Sequence, residues 1–136
     1  MKINSKWLMV SSAVVLGVFG LLTSFFAKEL LLHTKVTSGG AGEMFMQFLA
    51  AGMLGFAFMN WTGRNAVLGG IYGRPIIMGN LIHFSLVLIA MVKMLIAKPD
   101  LPGMWVLAGI YLIFTLGFLN AMLFHPAGKT GQEQGG

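Results

Sequence analysis

The segment Asn60-Trp61-Thr62-Gly63-Arg64-Asn65-Ala66-Val67-Leu68-Gly69-Gly70-Ile71-Tyr72-Gly73-Arg74-Pro75 is the longest polar, glycine-rich interruption in the middle of an otherwise apolar chain. It carries two arginines and no acid, and long apolar runs flank it on both sides. Those runs read as membrane helices, and the segment between them as a basic hinge joining two helical hairpins.

Composition supports this reading. Apolar residues make up 57% of the 136 residues and charged residues 10%, against roughly 25% charged in a soluble domain. So little charge cannot cover a water-facing surface, whereas bilayer hydrocarbon can cover the remainder. Nine Lys and Arg stand against four Asp and Glu, a net charge of +5. The basic residues sit at the ends of apolar runs, as membrane anchors do. They form no basic patch interleaved with stacking aromatics, so nucleic acid is not an expected partner. The chain has no cysteine, which excludes disulfides, thiolate metal sites and thiol redox chemistry. The eleven methionines do not cluster as Met-x-Met repeats and read as adaptable packing.

Taken in order, Trp7 to Phe26 carries no charge. At 1.5 Å per residue it is about 30 Å long, the thickness of the hydrocarbon layer. A signal peptide is the competing reading, with Lys2 and Lys6 as its basic start. The run is too long for that, and a cut after Ala27 would put Phe25 where a small residue is needed. The expectation is therefore a retained span. Ala27 to Glu43 is a connector whose first part, Lys28 to His33, is apolar enough to extend the helix or lie along the interface. Gly39 to Gly42 should break the helix, and Glu43 should sit in the first turn of the next one. The second span is expected over 44–61, the third over 76–96 with Pro75 at its start, and the fourth over 104–124. Lys98 to Gly103 is a tight turn, and 127–136 reads as a flexible tail. The expected fold is all-α: one domain over 1–126, four transmembrane helices in an antiparallel bundle, with both termini on one side. Three small-xxx-small pairs, Ala13/Gly17, Ala51/Gly55 and Gly117/Ala121, hint at close helix packing.

This topology puts Lys2, Lys6, Arg64, Arg74 and Lys129 on one side. Lys28, Lys35 and Lys98 lie on the other, with Lys93 able to snorkel there. The positive-inside rule then places both termini in the cytoplasm. It also gathers polar residues in the inner leaflet: Asn60 at the end of span two, Asn80 and His83 early in span three, Asn120 late in span four, and Ser11 and Ser12 in span one. Two readings stay open for them. One is hydrogen bonding between helices, because an unbonded polar group in hydrocarbon is costly. The other is a polar pocket lined by Asn60, Asn80, His83 and Asn120, with Arg64, Tyr72 and Arg74 at its mouth. His83 alone makes neither a metal site nor a haem site, and no cofactor is implied. Arg64 and Arg74 read as topology anchors meeting anionic lipid headgroups. Alternatively, Gly69-Gly70-x-Tyr72-Gly73-Arg74 could wrap an anion with backbone N–H groups and a guanidinium.

With its four spans, Asn-Trp-x-x-Arg at 60–64 and Gly-Gly-Ile-Tyr-Gly-Arg-Pro at 69–75, the chain resembles small four-helix bacterial inner-membrane proteins known only as domains of unknown function. The resemblance implies a bacterial inner (cytoplasmic) membrane location and no particular activity. Small multidrug exporters have similar length, but they depend on a carboxylate in the first span, and Trp7 to Phe26 has none. The spans carry no acid/base pair, nucleophile triad or metal set, so an enzyme is not expected. The expectation is a non-enzymatic accessory or structural membrane component, whose partners are the bilayer, a membrane protein or a second copy. The alternative is a small-molecule or lipid-binding or transport protein using the inner-leaflet cluster and the basic loop.

Overall fold

The computed structural model describes residues 5–33, 40–66 and 70–124. Among them are five helices: α1 (Ser5–Phe25), α2 (Ala27–His33), α3 (Gly40–Gly63), α4 (Gly73–Ala97) and α5 (Pro102–Phe124). The fold is all-α, and α1, α3, α4 and α5 are each long and apolar enough to cross a membrane. Their 21 to 25 residues correspond to roughly 32 to 38 Å, enough to cross about 30 Å of hydrocarbon. Large apolar side chains such as Trp7, Phe25, Phe58, Val106 and Ile113 are more than two-thirds exposed. In water they would form an extensive apolar surface, whereas in a bilayer they face acyl chains. This is the construction of a multi-pass membrane protein.

Several helix ends run past their sequence-based limits. Asn60 to Gly63 complete α3 and Gly73 to Pro75 open α4, which leaves the hinge shorter than the sixteen-residue segment. Of the glycines expected to break the helix across Gly39 to Gly42, Gly40 and Gly42 are already part of α3. The physical reason is position. Glycine costs about 1 kcal/mol in a helix interior, but the first turn has fewer intrahelical bonds to lose. Glu43 does lie in that first turn. Pro75 lies in the first turn of α4 and Pro102 opens α5, positions whose missing N–H is not required. Between α1 and α2 the chain bends at Phe26 without losing its hydrogen bonds: the Phe26 N–H reaches the Leu22 carbonyl at 2.9 Å, and the Leu30 N–H reaches that of Phe26 at 2.9 Å. Thr34 to Gly39, Val67 to Gly69, His125 and the expected tail at 127–136 lie outside the described residues.

The described residues fall into two compact units, Met9–Arg64 and the residues up to Leu8 together with those from Asn65 onward. In the first, α1 and α3 pack antiparallel, and α2 returns against α3. Gly17 faces Ala57 closely enough that an added Cβ would lie 3.7 Å from the alanine methyl, and a Cβ on Gly20 would come within 2.9 Å of Leu54 Cγ. Leu16, Ala13, Met53 and Ala57 fill the seam. Small residues matter here because lipid tails are as apolar as leucine, so close van der Waals packing must supply the association. A polar pair clamps each end of the seam. At one end Asn60 Nδ2 donates to Ser12 Oγ at 3.0 Å. At the other, Gln47 Nε2 donates to the Ser24 carbonyl at 2.8 Å while Ser24 Oγ donates to Gln47 Oε1 at 3.1 Å.

In the second unit α4 and α5 form a hairpin around the turn at 98–101. Lys98 N–H bonds the Met94 carbonyl at 2.8 Å, and Trp105 Nε1 donates to the Pro99 carbonyl at 3.1 Å. The core is aromatic. Fully buried Phe84 stacks on Phe114 (centroids 5.0 Å apart) and Phe118 (5.7 Å), and meets Tyr111 edge-on at 5.1 Å. Leu8, from the start of α1, sits over Gly117, where a Cβ would lie 2.8 Å from Leu Cδ1.

Candidate functional site

In the Met9–Arg64 unit, Asn60 and Ser12 are both fully buried. Ser12 Oγ accepts from Asn60 and in turn donates to the Met9 carbonyl of its own helix at 3.0 Å. Here the polar atoms join two helices. Arg64 lies just beyond α3 and folds back on it: its guanidinium donates to the Trp61 carbonyl and its Cζ stacks 4.5 Å from the centre of the indole. Thr62 Oγ1 reaches the Phe58 carbonyl at 2.9 Å and the Met59 carbonyl at 3.1 Å. Arg64 thereby satisfies a carbonyl that the helix C-terminus leaves open and places a positive charge at the negative end of its dipole, while Thr62 bonds back onto its own helix.

In the second unit Asn80 is fully buried, and its Nδ2 donates to the Ile76 carbonyl one turn back at 2.8 Å. His83, three residues on, is half-buried among rings, 5.3 Å from Phe84 and 6.1 Å from Tyr111 between centroids. Fully buried Tyr111 was not singled out from the sequence, and its hydroxyl has no hydrogen-bond partner among the described residues. Asn120 is half-buried on α5 and makes no hydrogen bond to a described residue. Tyr72 and Arg74 are exposed at the start of α4. Among the described residues, no three His, Asp or Glu side chains come together as a metal site.

The start of α4 also bears on anion binding. The N–H groups of Gly73 and Arg74 both bond the Gly70 carbonyl, at 3.1 and 3.2 Å, and Pro75 has none. These backbone donors are therefore engaged within the loop, and an anion here would be held by the Arg74 side chain.

Two hollows are apolar. A groove of about 490 Å³ is lined by Ala13, Val14, Leu54, Ala57, Phe58 and Trp61. A more enclosed cavity of about 230 Å³ is lined by Arg74, Ile77, Met78 and Met122. Asn60, Asn80, His83 and Asn120 line neither, so of the residues grouped in the sequence as a pocket only Arg74 borders one of these hollows. Gln47, the partner of Ser24, was also missed; a glutamine inside an uncharged span was the available signal. Comparison with protein-family models, with curated proteins and with solved structures found no match.

Proposed function

We propose that this chain is a non-enzymatic, multi-pass component of a bacterial inner membrane, with both termini in the cytoplasm and an accessory or structural role. The observation that carries this reading is the Asn60–Ser12 hydrogen bond between two fully buried side chains. Ser12, Ser24, Gln47, Asn60 and Asn80 bond helix to helix or back onto their own helix, an arrangement suited to holding a defined packing rather than to activating a substrate. The orientation is supported by Arg64 and Arg74 at the hinge, where the chain has no acid between Glu43 and Asp100. The bacterial location is supported by the resemblance of the 60–64 and 69–75 motifs.

The test is extraction in native lipids followed by mass spectrometry of everything retained. A stoichiometric membrane-protein partner, or a second copy, is the expected result. Recovery of a single chain alone, with no effect of its deletion on other membrane complexes, would remove the accessory role.

A further inference from the structure

We propose that Arg74 and the cavity formed by Ile77, Met78 and Met122 bind an anionic phospholipid, with the phosphate on the guanidinium and part of one acyl chain in the cavity. This goes beyond the accessory role, which does not require a bound lipid. The two hinge arginines differ in a way that singles out one of them. Arg64 is committed to the Trp61 carbonyl and indole. Arg74 is exposed, and its side chain makes no hydrogen bond or ion pair with any described residue. Its five N–H donors, in a fork that matches phosphate geometry, are open to an outside acceptor.

The rest of the site selects the ligand. The adjacent backbone N–H groups are closed by the Gly70 carbonyl, so recognition falls to the side chain. Beside it the cavity walls are Ile77, Met78 and Met122, with no polar side chain other than Arg74 to orient a polar ligand. At about 230 Å³ the cavity is smaller than the roughly 300–1,000 Å³ of drug-sized ligand pockets, and suits one segment of hydrocarbon chain. The two methionines give walls that adapt to chain conformation. Tyr72, 83% exposed two residues before Arg74, has the amphipathic ring typical of the headgroup level. Cation beside apolar cavity complements anionic phosphate beside acyl chain, and a free phosphate would leave the apolar walls without a role.

The experiment measures lipid retained by the purified full-length chain, using native mass spectrometry after exchange into phosphatidylglycerol or phosphatidylcholine. The wild type is expected to keep phosphatidylglycerol in preference to phosphatidylcholine, and excess inorganic phosphate should not displace it. Arg74→Ala should weaken retention about fivefold, as expected for one basic residue at an anionic surface. Arg74→Lys should restore part of it. Met122→Trp, which fills the cavity and keeps the arginine, should also weaken retention, whereas Arg64→Ala should change it less than twofold. Equal retention of the two lipids by the wild type, or displacement by inorganic phosphate, would overturn the proposal without relying on any variant. So would undiminished phosphatidylglycerol binding in both folded Arg74→Ala and folded Met122→Trp.

Discussion

Asn60 on α3 and Ser12 on α1 face each other across an apolar seam, joined by a 3.0 Å bond from amide to hydroxyl, with both side chains inaccessible to solvent. Hydrogen bonds between membrane helices contribute about 0.6 kcal/mol on average and up to about 1.7. A double-mutant cycle of Asn60→Ala and Ser12→Ala, read by unfolding in mixed detergent, should give a coupling energy in that range. Coupling indistinguishable from zero would mean that the bond does not hold the hairpin together.

Glycines at two depths should respond oppositely. A Cβ at Gly20 meets Leu54 Cγ at 2.9 Å and Met53 Cβ at 3.2 Å, whereas Gly52 and Gly55 have nothing within 4 Å. Gly20→Val should destabilise by about 1–3 kcal/mol through overpacking. Gly52→Ala should be neutral or stabilise by up to about 1 kcal/mol through helix propensity. Thermal melts in one detergent compare them directly, and a larger loss at Gly52 would refute this assignment of the seam.

Phe84 is the centre of the second unit, in ring contact with Tyr111, Phe114 and Phe118. Phe84→Ala should cost about 3–5 kcal/mol, the range for truncating a buried aromatic. Phe84→Leu, which keeps most of the volume, should cost less. Equal melting temperatures for the two variants would show that the cavity closes by repacking.

The chain contains no cysteine, so single introduced thiols report topology cleanly. Ala66→Cys in the hinge should resist a membrane-impermeant maleimide in intact spheroplasts and react after lysis. Asp100→Cys, in the turn between α4 and α5, should react in both. The reverse pattern would invert the orientation.

Much of the fold was legible because its signals are one-dimensional. An uncharged run of sufficient length marks a span, and Pro99, Pro102 and Gly103 mark a turn. The beginning of α3 was less legible because the cost of a glycine depends on its place in the helix, and Gly40 and Gly42 lie in the first turn. The site was harder still. Helices apolar nearly all round carry little periodicity to say which face meets a neighbour. Asn60 stood out as polar within a span, but its pairing with Ser12 depends on the register of α1 against α3. The Ser24–Gln47 clamp was hidden for the same reason, and one of the two rings beside His83, Tyr111, comes from α5. Arg74 could be read as a basic anchor, but the cavity beside it exists only once Met122 is brought alongside Ile77.

The two clamps on α3 also bear on how the protein is made. α3 is the least apolar of the four spans, and two residues through which it bonds α1, Gln47 and Asn60, are polar side chains within its own length. Emerging alone into lipid, α3 would carry amide groups separated from their serine partners, at a cost in insertion. The serines belong to the helix synthesised before it. The expectation is that α1, already in the membrane, eases the entry of α3 by supplying those partners, so that order of synthesis sets order of assembly. Deleting α1 should lower the fraction of α3 that inserts during translation, and Gln47→Leu with Asn60→Leu should restore it.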